Sequence, residues 1–358
     1  MFTISYKGFM HIYVSTFISG LKNAVKSFLN EELMGVKILN LYDGLIVYQS
    51  DAIVSKILGL RYFNNTFLLI KKYSGLANAH LEQMMASANK MQDIGLKLKG
   101  HVPAKNKRQF RIIVSRENQL VPVKRELLSQ MEVTISRATG FKVNRAKPDL
   151  EFWFLQRSEG VGFFMLRLTK QPSTRKGLNK GELRPELCNI MCRLSQPKPQ
   201  DTFLDPFCGY GAISFERAKM NPYNLIFMSD TDGDRIKLCR QRLNTMGSKH
   251  KRQIILRRDD ALNLDRYEDG FFDKIVTDPP WGLYTTTSID ISKFYKQVLA
   301  QLNRVLKVNG TLIILSAQRE VLDNSLRDSN DLSLSQKFDI LVSGKKASIY
   351  KAIKIGYI

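Results

Sequence analysis

Acidic residues are scarce in this 358-residue chain, where 33 Asp and Glu face 55 Lys and Arg for a formal net charge of +22 and a pI near 9.8. A deficit of that size points to a polyanionic partner or an anionic membrane surface. Cysteine is also rare. The four residues at 188, 192, 208 and 239 are too few and too clustered for a secreted disulfide framework, which favours a reducing cytoplasm or nucleus. The only histidines are His11, His80, His101 and His250, none at ligand spacing to the cysteines, so no metal centre is expected. Cys188 and Cys192 share a helical face and read as small buried hydrophobes. Apolar runs long enough to span a membrane are missing. The N-terminus has no signal-peptide pattern either, because Lys7 and His11 interrupt it and no small-residue cleavage site follows. Nucleic acid is therefore the favoured partner.

What is present centres on residues 203–216. Phe203 and Leu204 end an apolar strand, Asp205, Pro206, Phe207 and Cys208 enter a turn, and Gly209 and Gly211 allow close backbone approach and positive φ. Ile213, Phe215 and Ala218 then begin a helical stripe. A dinucleotide fingerprint wants a third glycine, but Ser214 holds that place. Asp205 in the turn repels a pyrophosphate and suits a cationic, amine-bearing ligand, of which S-adenosyl-L-methionine is one. A second apolar strand, residues 272–277, ends in Asp278, Pro279, Pro280 and Trp281. An exocyclic base amine is a poor nucleophile until acceptors draw its N–H groups out of conjugation. The Asp278 carboxylate and the Pro279 carbonyl are suitable acceptors, the prolines stiffen the turn, and Trp281 offers a face on which a flipped base can stack.

The residues 205–211 and 278–281 together resemble motifs one and four of the S-adenosylmethionine-dependent amino-methyltransferases that act on nucleic-acid bases. With residues 181–187 just before the first motif and a long basic N-terminal half, the whole resembles the THUMP-containing RNA guanosine N2-methyltransferases. That resemblance implies a Rossmann-like, seven-stranded class I methyltransferase domain preceded by an α+β region, and S-adenosyl-L-methionine as cofactor. It also implies methylation of a base amine in RNA, with guanosine N2 in tRNA ahead of adenine N6 or another RNA. Residues 181–187 would pack over the methionine end of the cofactor.

Asp230, 21 residues beyond Gly209 at the end of a further apolar run, is the expected ribose acceptor, with Asp232 as its rival and, together with Asp234, more suited to capping the following helix. Asp260, followed by Ala261, ends the next run and can accept from the adenine amino group; Asp259 is the alternative. Residues 285–290 form a polar loop that could cover the substrate base. The expected organisation is a ferredoxin-like domain at 1–74, a THUMP-like RNA-binding domain at 75–170, a linker at 171–180 and the methyltransferase domain at 181–358. Residues 1–180 hold 28 Lys and Arg against 12 Asp and Glu. Lys105, Lys107, Arg108, Lys124, Arg125 and Arg145 are the candidate phosphate contacts there.

Other classes fit less well. A flavin or NAD oxidoreductase fails at the first turn, and a ring-carbon methyltransferase lacks a cysteine near Pro279. A non-catalytic RNA-binding protein on the same fold is the remaining alternative.

Overall fold

The computed structural model describes residues 11–356 except 76, 78, 103–107, 118, 171–176, 221, 283–289 and the side chain of Lys249. The chain divides into two compact units, Met1–Phe17 with Leu29–Pro172, and Ile18–Phe28 with Ser173–Ile358.

The first unit is built on a nine-stranded sheet. Its elements in chain order are β1 (His11–Thr16), α1 (Lys22–Glu32, shared at Phe28 with the second unit), β2 (Lys37–Tyr42), β3 (Leu45–Ser50), α2 (Val54–Leu58) and β4 (Asn65–Ser74). These are followed by α3 (Leu81–Ala88), α4 (Ile94–Lys97), β5 (Gln109–Arg116), β6 (Gln119–Leu120), α5 (Arg125–Thr139), β7 (Lys142–Val143), β8 (Leu150–Gln156) and β9 (Val161–Arg167). The strand order is β2-β3-β1-β4-β9-β8-β5-β6, with β7 beside β5. The pairing of β4 with β9, Leu68 opposite Leu166, carries the sheet across residue 74, where the sequence placed a domain boundary. Alternation puts Phe110, Phe152, Phe154 and Phe164 in the core, with Phe154 stacked on Phe164 at 4.4 Å. Helices α3 and α5 contribute buried Met84, Met85, Met131 and Ile135. Any Cβ at Gly162 would meet the Met84 sulfur at 2.3 Å, so the helix approaches β9 only because that position has no side chain.

The second unit contains α6 (Pro185–Leu194), β10 (Thr202–Asp205), α7 (Ala212–Ala218), β11 (Leu225–Asp230), α8 (Gly233–Asn244), α9 (Ser248–Gln253) and β12 (Ile254–Arg258). It continues with β13 (Phe272–Thr277), α10 (Ile291–Val305), β14 (Leu306–Ser316), α11 (Arg319–Arg327), β15 (Leu332–Val342) and β16 (Lys345–Lys354). The seven strands run β12-β11-β10-β13-β14-β16-β15, parallel as far as β14, with β16 and β15 antiparallel. Pro185 opens α6, where its missing N–H is no loss, and every residue from Glu186 to Cys192 is buried. Tyr295, Val298, Leu302, Leu322 and Leu326 of α10 and α11 pack with Leu204, Ile275, Leu312, Ile314 and Tyr350 of the sheet. Chain order reverses at β10, with β11 on one side and β13 on the other, which makes the carboxyl ends of these strands a topological switch point. No helix among the described residues is long and apolar enough to cross a membrane.

Candidate active site

The strand ends at that switch point carry the residues singled out from sequence. β10 delivers Asp205, which is fully buried and accepts hydrogen bonds from Thr277 Oγ1 at 3.0 Å and Ser214 Oγ at 3.4 Å. Burial pushes its carboxyl up to about 7. Asp205 therefore lies beneath the turn, where the expectation had its carboxylate facing a ligand. The four residues of β10 are all buried, Asp205 among them.

The glycine turn closes by Cys208 N–H to the Ser229 carbonyl at 2.8 Å and Gly211 N–H to the Cys208 carbonyl at 2.7 Å. The two glycines serve different ends. Gly211, φ +77°, sits so close to the Phe215 ring (2.5 Å) and the Met228 methyl (2.9 Å) that a Cβ has no room. Around Gly209, φ +53°, a Cβ would meet only Arg235 Nη1 at 4.0 Å, so this backbone faces open space. Asp230 fixes the turn, its Oδ2 accepting Gly209 N–H at 2.8 Å and its Oδ1 accepting Asp232 N–H at 3.0 Å. A carboxylate oxygen has a second acceptor direction, so this bracing leaves acceptor capacity for hydroxyls. Asp232 caps α8 through the N–H groups of Asp234 and Arg235. Asp259 is paired with Arg266 Nε at 2.8 Å, whereas Asp260 lies in an exposed turn, its Oδ1 accepting Leu262 N–H, with Ala261 buried beside it. Phe207 packs 6.0 Å from Phe294, on the side of the turn that leads to α10.

β13, adjacent to β10, ends at the second turn. Trp281 donates its indole N–H to Asp278 Oδ1 at 2.9 Å, a contact that fixes both side chains and leaves Oδ2 for another donor. Burial, then the charge of Asp205, pushes the Asp278 carboxyl up to about 8 against the pull of that indole bond. Pro279 is buried and Pro280 exposed.

Sequence reasoning missed what holds this turn. Fully buried Tyr295 donates to the Pro280 carbonyl at 3.2 Å and shares a hydrogen bond with Ser316 Oγ at 2.6 Å. Gln318 donates from Nε2 to the Trp281 carbonyl, and its own N–H reaches Ser316. The signal was a Tyr inside the apolar stripe of α10 and a Ser and Gln just where β14 ends. The expected base-covering loop lies outside the described residues up to 289, and Asp290 caps α10.

Among the candidate phosphate contacts, Lys105 and Lys107 lie outside the described residues. Arg108 is half-buried and has a partner of its own. Lys124 and Arg125 are exposed at the start of α5, Lys124 lying 3.5 Å from Glu82. Arg145 is exposed, and its guanidinium donates to both oxygens of Glu132 at 2.9 and 2.8 Å. A buried carboxylate needs such a partner. Cys188, Cys192, Cys208 and Cys239 are all free and buried, and no group of metal-ligating side chains occurs among the described residues.

A largely parallel sheet with its switch point at β10, a terminal antiparallel hairpin and turns at the carboxyl ends of neighbouring strands define a class I methyltransferase fold. The crystal structure of TrmN from Thermus thermophilus has that fold, with a TM-score of 0.77 and 21% identity, covering 96% of this chain and 100% of that one. The chain belongs to the UPF0020 family, whose RMKL-like methyltransferase domain matches residues 172–345. It is 30% identical over 152 residues to a Methanothermococcus thermolithotrophicus protein named "Probable tRNA (guanine(10)-N2)-dimethyltransferase", a match covering 41% of this chain and 89% of that protein. It is 27% identical over 221 residues, 61% of its length, to the tRNA (guanine(6)-N2)-methyltransferase of Thermus thermophilus, of which it spans 64%.

Proposed function

We propose that this chain transfers a methyl group from S-adenosyl-L-methionine to the exocyclic N2 amine of guanosine in RNA, with tRNA as the favoured substrate class. The observation that carries the reading is the placement of Asp278 and Pro279 immediately after β13, which pairs with β10 and its glycine turn, with the Trp281 indole bonded to the carboxylate. The guanine-N2 names of the relatives support the choice of base and of tRNA.

The open space over Gly209, the acceptor capacity of Asp230 and the exposed acid at Asp260 suit the cofactor's methionine end, ribose and adenine in turn. Pro206, Phe207, Cys208, Gly211 and Ala261 shape the same cradle. When bound, the cofactor supplies an electrophilic methyl group on a sulfonium. Asp278 Oδ2 and the Pro279 carbonyl accept the two N–H groups of the amine and free its lone pair for attack. Asp278, with its carboxyl near 8, is then basic enough to take the proton that the methylated amine sheds. Trp281 orients the acid and offers its ring to the base.

In the first unit we assign RNA contact to Lys105, Lys107, Arg108, Lys124 and Arg125, within a THUMP-like region at 75–170 that follows a ferredoxin-like segment at 1–74. Arg145 serves as a brace for Glu132. Four free cysteines suit action in a reducing compartment such as the cytoplasm.

The reading is tested by titrating the full chain with S-adenosylmethionine, NADH and FAD in a calorimeter, then offering unmodified tRNA and methyl-labelled cofactor. Binding of S-adenosylmethionine alone and label fixed in RNA are expected. Binding of a redox cofactor, or binding without transfer, would remove the assignment.

A further inference from the structure

Residues 235–258 hold nine Lys and Arg and no Asp or Glu. Without them, residues 181–358 carry 18 basic against 21 acidic residues, so the whole positive excess of the catalytic half sits in this one stretch. It builds α8, α9 and β12, which pack on one another at the edge of the seven-stranded sheet.

Three of the cations have partners on the protein. Arg235 pairs with Asp232 at 3.2 Å and stacks on Tyr210, Arg242 reaches Glu182 at 3.5 Å, and Arg258 donates to the Thr231 carbonyl at 2.9 Å. Lys237, Arg240, Lys251, Arg252 and Arg257 are exposed and form no ion pair among the described residues. Elsewhere in this unit some cations are matched by acids, as in Arg304 with Asp269, Lys307 with Asp273 and Lys337 with Asp323, each at 2.8 Å, while others, such as Lys293, Lys296 and Lys346, are exposed without an ion pair among the described residues; the stretch 235–258 differs in gathering nine cations with no acid among them. An edge left unmatched repels itself unless a polyanion covers it. With a strand rise of about 3.3 Å per residue, β12 from Ile254 to Arg258 extends over roughly 13 Å, with Arg252 just before it at the end of α9, enough for more than one phosphate. The end at Arg258 abuts the turn at Thr231, next to Asp230.

We propose that this edge is a phosphate-binding ledge along which the RNA backbone runs toward the strand ends of the active site. The assignment rests on the reading that the substrate is RNA, and it adds a second electrostatic contact to the one expected in the N-terminal half. Phosphate contacts of this kind position the substrate and leave base choice to the pocket.

The test uses the full chain carrying Lys237→Glu with Arg240→Glu, or Lys251→Glu with Arg252→Glu, and the corresponding Gln pairs. RNA affinity is measured by filter binding of a tRNA transcript across a potassium chloride series. Each Glu pair is expected to weaken binding about tenfold or more and, because two phosphates go unneutralised, to lower the log-log salt slope by roughly 1.4 to 1.8. The Gln pairs should lower it in the same direction. Turnover at saturating RNA and S-adenosylmethionine affinity should stay at wild-type values, and Lys346→Glu, on β16 toward the opposite edge of the sheet, should change nothing. Wild-type RNA affinity and slope in both pairs, while the wild-type chain methylates RNA, would overturn the ledge alone. A wild-type chain that neither binds nor methylates RNA would overturn the substrate reading, and the ledge with it.

Discussion

At the residue scale, Asp278 is a carboxyl raised by burial to about 8 beside an indole donor, with one oxygen left for another donor, in our proposal the amine. Because the ionised form is the acceptor, kcat/KM should rise with pH between about 6 and 9 and level off above the carboxyl's value, which this ratio reports for the free enzyme. A bound cation favours the carboxylate, so the inflection in kcat should fall at lower pH. Asp278→Asn should flatten the rise and reduce turnover about a hundredfold, roughly 2.7 kcal/mol of transition-state stabilisation, with little change in cofactor affinity. A wild-type pH profile in that variant would remove Asp278 from the chemistry. The two glycines give a second contrast. Gly211→Ala combines positive φ with an approach of 2.5 Å to Phe215 and should lower the melting temperature sharply. Gly209→Ala carries only the left-handed backbone cost of about 1–2 kcal/mol and should lose more in S-adenosylmethionine binding than in stability. Calorimetry and thermal melts on both variants separate the roles; equal effects on both would mean that Gly209 does not face the ligand.

At the scale of elements, the catalytic turn is a stiff Pro-Pro segment hung between β13 and the hydrogen bonds it receives from α10 and from the residues that follow β14. Tyr295 and Gln318 occupy the Pro280 and Trp281 carbonyls, which leaves the Pro279 carbonyl and Asp278 Oδ2 for the proposed amine. Tyr295→Phe removes one oxygen and with it two hydrogen bonds, to the Pro280 carbonyl and to Ser316 Oγ, which keeps the Gln318 N–H; at about 0.5–1.5 kcal/mol each the loss is about 1–3 kcal/mol. We expect most of it in kcat, with S-adenosylmethionine affinity intact; a fall in stability with unchanged kcat would make Tyr295 a packing residue only. Both strand-end turns were legible in the sequence because each is local, a buried strand running into glycines or prolines with an acid at a fixed place. The clamp was not, because Tyr295, Ser316 and Gln318 come together through the packing of α10 on β14 and share no local pattern. Similarly, no spacing rule foretold that Arg145 would meet Glu132 across 13 residues. The hairpin of β8 and β9 was legible from alternation, whereas its pairing with β4 is a contact across almost a hundred residues.

At the scale of the whole molecule, charge and chain path matter together. The N-terminal half holds the larger surplus, yet the ledge of α8, α9 and β12 places a compact positive surface within the catalytic unit itself. Residues Ile18–Phe28 belong to that unit, with Leu21 and Val25 fully buried and Arg193 lying over the Phe28 ring at 5.8 Å. The expected division near residue 175 separates this segment from its unit, because sequence composition marks linkers and says nothing of a helix that returns to a distant core. Val25→Ala should therefore cost about 1–3 kcal/mol and lower the melting transition that S-adenosylmethionine stabilises. An unshifted transition would place the segment outside the catalytic unit. The identity of the methylated atom is the point on which the functional reading turns. The full chain should be incubated with unmodified tRNA and cofactor bearing a deuterated methyl group, and the RNA digested to nucleosides for mass spectrometry. Deuterated N2-methylguanosine, formed about a hundredfold more slowly with Asp278→Asn, is the expected product; label in N6-methyladenosine, in a ring carbon, or in no nucleoside would contradict the proposed chemistry.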